Sequence, residues 1–180
     1  MRIKRDEAAA VVVDIQERLL PHIHEGDIML GNCIKLIKGL EALSIPVLIT
    51  QQYTKGLGPT VQPVIQLFPE FRHIEKISFS CCEEPSFEKE ITRLGRTDII
   101  LCGIESHVCV LQTCLDLLEG GRRAVVVEDC ISSRKPGDKL TAIERMRQEG
   151  ARITTMESLL FELARVAGND AFRSISGIVK

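Results

Sequence analysis

Residues 98–127 read DIILCGIESHVCVLQTCLDLLEGGRRAVVV. Asp98–Gly103 is a short, nearly continuous apolar run, the pattern of a strand buried on both faces. Residues 106–119 read as a helix, and Arg123–Val127 (RAVVV) as a second buried strand. A strand, a helix and a strand on short joints make a βαβ unit, because parallel strands need a crossover long enough to return the chain. Reading outward toward the N-terminus, Ala8–Asp14 (AAAVVVD) is another buried strand. Residues 27–43 have helical periodicity, with Ile28, Cys33, Ile34, Ile37, Leu40 and Leu43 as inner positions. Pro46–Thr50 (PVLIT) is a strand, 51–70 a long excursion rich in Gly, Pro and Gln, His73–Ile77 a short strand and Ser86–Leu94 a helix. Toward the C-terminus come a loop over 128–136, a helix over 137–149 closed by Gly150, a strand at Arg152–Thr155 and a helix over 157–166. The tail 169–180 is weakly patterned. Strands alternating with helices predict an α/β fold: a three-layer α/β/α sandwich on a mostly parallel, doubly wound, six-stranded sheet, with one domain over residues 1–180.

Composition narrows the functions. Of 180 residues, 44% are hydrophobic and 27% charged, ordinary values for a globular chain. The formal net charge of -2 gives no electrostatic case for nucleic acid, and 4% aromatics with no Trp gives no stacking platform. No apolar run approaches the ~20 residues of a membrane span. The opening MRIKRDEAAAVVVD lacks the apolar stretch of a secretory signal. Seven cysteines, an odd number with no Cys-x-x-Cys pair, fit neither a disulfide scaffold nor a zinc ribbon. A cytoplasmic protein with no membrane and no nucleic-acid partner is expected.

In open α/β sheets ligands bind beyond the carboxyl ends of the strands, where strand order reverses. Three residues fall at such ends. Asp14 closes the first strand, Lys76 ends the short strand after residue 72, and Cys109 lies in the first turn of the helix after 98–103. A helix start and a nearby lysine both lower a thiol pKa. A carboxylate can take the thiol proton and return it to a leaving group. Each residue alone also has a commoner role: Asp14 as a helix cap, Lys76 as a solvated lysine, Cys109 as a packed thiol. It is the three together that point to a nucleophilic site.

These residues sit in motifs that resemble the isochorismatase-like cysteine hydrolase superfamily, which includes the nicotinamidases. The motifs are VVVDIQERL around Asp14, HIEKISFS around Lys76 and LCGIESHVCV around Cys109, and the resemblance runs over about residues 8–165. The segments TQQYTKGLGPTV and DLLEGGRRAVVVEDCISSR are most similar to the short isochorismatase domain-containing proteins. The resemblance implies Cys109 as nucleophile, Asp14 as general base and acid, and Lys76 as the supporting cation. It also implies a cis peptide at Ile104–Glu105, with an oxyanion hole built from the backbone N–H groups of Glu105 and Cys109. A substrate pocket is expected from Gln16, Gln51, Tyr53, Phe79 and Ile104. The implied reaction is hydrolysis of a small C–N substrate of amide or imide type, and a homodimer or homotetramer is expected.

Two departures qualify the resemblance. Nicotinamidases carry an Asp-x-His metal motif after the second strand; here that place reads Thr50-Gln51-Gln52-Tyr53, so no metal and no cofactor are expected. Glu105, four residues before Cys109, would raise the thiol pKa if its carboxylate faced the site. An idle thiol would leave the alternative of a binding or interaction module that keeps the hydrolase fold.

Overall fold

The structure, a computed structural model, describes residues 2–180. Six strands, β1 (Ala8–Val13), β2 (Val47–Gln52), β3 (Ile74–Lys76), β4 (Asp98–Ile104), β5 (Arg123–Ser132) and β6 (Arg152–Thr154), form one sheet in the order β3-β2-β1-β4-β5-β6. Every pairing is parallel. The helices are α1 (Gly26–Ala42), α2 (Thr54–Leu57), α3 (Gln62–Ile65), α4 (Pro85–Leu94), α5 (Leu111–Glu119), α6 (Pro136–Gln148), α7 (Met156–Ala164) and α8 (Asp170–Val179).

The sequence produces this sandwich through period-two alternation in central strands that are almost wholly apolar. Ala8, Ala10 and Val12 of β1, with Ile100 and Cys102 of β4, face a core closed by α1, α7 and α8. Ala9, Val11 and Val13, with Ile99 and Leu101, face the opposite core, closed by α4, α5 and α6. All residues of β1 and β4 are buried. Each fully buried Val, Ile or Leu contributes roughly 1.5–3 kcal/mol, so the two central strands are the least movable part of the molecule.

Four features differ from expectation. Strand β5 runs on to Ser132, so much of the expected loop 128–136 is strand. The excursion after β2 holds the short helices α2 and α3 and folds back over the chain that follows β1: Glu17 N–H donates to Pro59 O (3.0 Å), and Val61 N–H to Ile15 O (3.0 Å). The tail forms α8, capped by the Asn169 side chain and anchored by buried Ile175. Finally, Ile28 is 63% exposed; the inward stripe of α1 is Met29, Cys33, Leu36, Ile37 and Leu40, because the helix is rotated from the register that Ile28 suggests.

Strand order reverses between β1 and β4, the place beyond whose carboxyl ends open α/β sheets bind ligands. Gly103 lets the two strands come close. Its φ is 114°, β4 bulges between Leu101 and Gly103, and a Cβ here would lie 2.0 Å from Val13 O. Only glycine permits that approach.

Candidate active site

Asp14 follows β1 with φ 50°, a left-handed conformation that Asp tolerates better than most residues. Its carboxylate is completely buried. Lys76 Nζ donates to Asp14 Oδ2 at 2.7 Å, and Thr50 Oγ1 donates to Asp14 Oδ1 at 2.7 Å. The ammonium also meets Gln52 Oε1 (2.8 Å), Phe79 O (3.0 Å) and Ser78 O (3.2 Å). Four acceptors surround three N–H bonds. Burial works against the charge of Lys76, yet the Asp14 carboxylate beside it supports the ammonium, and its pKa is raised. Lys76 is therefore a fixed cation.

Cys109 lies in a π-helical turn, Ser106–Val110, that leads into α5. Its Sγ is 4.0 Å from Gln52 Oε1. The Gln52 amide is held in one orientation, with Nε2 donating to Ile77 O at 2.6 Å, so that Oε1 is turned toward both Lys76 and the thiol. The expected lowering of the thiol pKa does not occur. Burial, reinforced by the Asp14 charge and only partly opposed by Lys76, pushes Cys109 up to about 12. Cys81 lies in the same cluster, its Sγ 3.8 Å from Thr50 Oγ1, and burial pushes it up to about 11. Both thiols are protonated at neutral pH.

The Ile104–Glu105 peptide is cis. Glu105 O accepts from the N–H groups of Val108 (3.1 Å) and Val110 (3.2 Å), which binds the turn carrying Cys109 to the end of β4. The Glu105 side chain turns to Arg134, accepting from its backbone N and its Nε, both at 3.1 Å. Its charge is thus met by a cation, and the groups that act on the thiol are Asp14, Lys76 and Cys81.

Several residues expected to line a pocket do something else. Gln16 is buried and fully engaged: Oε1 accepts Gln52 N–H (2.7 Å), while Nε2 donates to Gln52 O (3.0 Å) and Gly58 O (2.6 Å). Gln51 is 1% exposed; it accepts from Thr60 N and Oγ1 and donates to Thr54 Oγ1. Ile104 lies in the core. These three hold the walls of the site and present no surface to a ligand. Tyr53 and Phe79 are about half exposed beyond the ends of β2 and β3. Helix α5 spends Leu111, Cys114 and Leu117 on its own sheet. Thr50 and Gln52 join the cluster without a signal of their own in the sequence beyond their place at the carboxyl end of β2, next to the strands that supply Asp14 and Lys76. Among the described residues no group of three His, Cys, Asp or Glu side chains is placed to hold a metal ion.

Fold and site together define a class: α/β proteins with a buried carboxylate–ammonium pair beside a thiol at the topological switch point. The isochorismatase domain matches residues 8–158, and the chain belongs to the isochorismatase family. Mouse isochorismatase domain-containing protein 2A is 37% identical over 185 residues, covering 99% of this chain and 85% of that protein. A structure described as MAR1 ribonuclease from Caenorhabditis elegans superposes with a TM-score of 0.93 at 36% identity, covering 99% and 92% of the two chains. The Escherichia coli YcaC gene product, described as an octameric hydrolase of unknown specificity, gives a TM-score of 0.93 at 26% identity, covering 99% and 89%.

Proposed function

We propose that this protein hydrolyses a small C–N substrate of amide or imide type through a covalent intermediate on Cys109, without a metal. The observation that carries the reading is the Lys76–Asp14 pair, completely buried at 2.7 Å beside a thiol at the sheet's switch point. Because burial holds the thiol near 12, no standing thiolate awaits the substrate. Attack is instead coupled to proton transfer: Sγ bonds to the substrate carbonyl carbon as its proton passes to Asp14. Lys76 keeps Asp14 in place and balances the charge. The N–H groups of Glu105 and Cys109 receive the developing oxyanion. Asp14 returns the proton to the departing amine, leaving a thioester. Water then attacks the thioester carbon, giving its proton to Asp14 and releasing acid and thiol. At the place of the nicotinamidase metal motif stand Gln51 and Gln52, whose side chains are committed to Thr60, Thr54, Lys76 and Ile77.

A small substrate is favoured over RNA because a net charge of -2 offers no excess of cations to a polyanion. Assembly into a homo-oligomer is part of the reading; the octameric E. coli relative supports it, and half-exposed Tyr53 and Phe79 with exposed Ile77 supply apolar surface. A thiol held protonated also favours the second reading, a binding module that retains the fold. Ammonia release across a panel of small amides separates the two. Turnover that falls by a factor on the order of 10³ or more in both Cys109→Ala and Asp14→Asn is expected. Full turnover in Cys109→Ala would rule out the covalent route, and no turnover by the native protein on any amide would favour the binding module.

A further inference from the structure

A second polar cluster, Ser133, His107 and Asp138, stands on the outer side of the turn that carries Cys109. We propose that His107 is a positioning residue: its imidazole, bonded to Ser133, clasps the turn to the end of β5 and so keeps the Cys109 thiol inside the Asp14–Lys76 cluster. As a part of the reaction it rests on the reading of Cys109 as nucleophile; as a brace on the thiol it does not.

The bond itself is the first observation. His107 Nδ1 and Ser133 Oγ are 2.9 Å apart, and Ser133 is completely buried. A buried hydroxyl needs a partner, and the imidazole is one. On the other edge of the ring, Nε2 stands 3.9 Å from Asp138 Oδ2, beyond hydrogen-bond length, and that carboxylate is 44% exposed. Water screens such a pair, so the bond to Ser133 is the one that holds.

The second is the anchor. Ser133 follows directly on Ser132, which pairs with Ile104 of β4, and Ser133 O accepts His24 N–H at 3.0 Å. The imidazole therefore ties the turn to a point that the sheet has already fixed.

The third is the turn. Ser106–Val110 is π-helical, a rare form. Residues two apart on a helical turn do not face each other. His107 reaches out to Ser133, while Cys109 packs into the core closed by α4, α5 and α6. The imidazole thus holds the back of the turn whose front carries the thiol. Burial is what pushes Cys109 up to about 12, and the titratable groups that face it are Asp14, Lys76 and Cys81. With the turn released from Ser133, water reaches the sulfur and the thiol pKa falls toward its ordinary value of 9.0.

The test follows iodoacetamide modification of Cys109, Cys81 and Cys114 by peptide mass spectrometry, from about pH 6 to about pH 10. The native protein is compared with His107→Ala, Ser133→Ala, His107→Asn and Asp138→Asn. His107→Asn places an amide near the position of Nδ1, where it can still bond Ser133. Both alanine variants should label Cys109 about tenfold or more faster at neutral pH, since each unit of pKa lost is tenfold in thiolate. Their pH profiles should bend over where the native profile still climbs. Cys81 and Cys114 should keep their native rates, and both asparagine variants should stay within about twofold of native at Cys109. On an amide that the native protein turns over, the alanine variants should lose kcat more than they raise KM. An unchanged Cys109 rate in both alanine variants overturns the brace. So does equal acceleration of all three cysteines, which is a loosened fold, or an Asp138→Asn effect as large as that of Ser133→Ala. If His107→Ala does not fold, Ser133→Ala carries the test alone. If the Cys109 profile moves as expected while the native protein turns over no amide, the brace stands and the nucleophile reading falls.

Discussion

Replacing Lys76 by Met removes the charge that pairs with Asp14 while keeping most of the side chain's bulk. Asp14 would then be a fully buried carboxylate with Thr50 Oγ1 as its remaining hydrogen-bond donor. Leaving one partner of a buried pair uncompensated costs about 3–5 kcal/mol, out of a total stability of about 5–15 kcal/mol. With a urea slope of about 2 kcal/mol per molar, the unfolding midpoint should drop by about 2 M. Asp14→Asn combined with Lys76→Met should recover most of the midpoint at neutral pH, because no unpaired charge remains. A single variant within about 0.5 M of the native midpoint, which is about 1 kcal/mol, would refute the reasoning. So would a double variant no more stable than the single one.

Three further outcomes follow from the same geometry. Gly103→Ala should fail to give folded protein by circular dichroism or gel filtration, since its Cβ would meet Val13 O at 2.0 Å on a residue with φ 114°. Iodoacetamide modification of Cys109 should keep accelerating above pH 9 without a plateau, because burial pushes the thiol to about 12; a plateau near an ordinary thiol pKa would contradict that burial. Stability should fall above pH 9, since Cys81 and Cys109 hold their protons to about 11 and 12 in the fold while unfolded thiols ionise from a value of 9.0. The slope is about 1.4 kcal/mol per pH unit for each such thiol, measured by urea midpoints, and Cys81→Ala should reduce it.

The central strands were legible because they are almost wholly apolar and bounded by turns; residues 99–104 and Ala8–Val13 carry no polar residue that would suggest a helix face. The positions of Asp14, Lys76 and Cys109 were legible because strand ends and a helix start can be read from the pattern, and open α/β sheets bind ligands there. Other features depend on contacts between distant segments. The extension of β5 past Val127 through Glu128 and Asp129 breaks an apolar pattern, and it is fixed by pairing of Ile131 and Ser132 with β4. Helix α8 holds one buried residue, Ile175, so its periodicity is faint until it lies against the core. Gln16, Gln51 and Gln52 look alike in sequence. Only the folded chain shows that two of them brace loops while the third faces the thiol. The thiol pKa lies on the other side of the expectation because burial outweighs the nearby lysine.

The close approach at Gly103 has a consequence for transplanting this chemistry. The separation of β1 from β4 is set by a missing methyl group, since Val13 O occupies the place where a Cβ would stand. A scaffold designer who copied Asp14, Lys76 and Cys109 onto another parallel sheet, with alanine or valine at the equivalent of Gly103, would hold the two strands apart. The thiol and the carboxylate would then stand farther apart, every side chain correct and the spacing wrong.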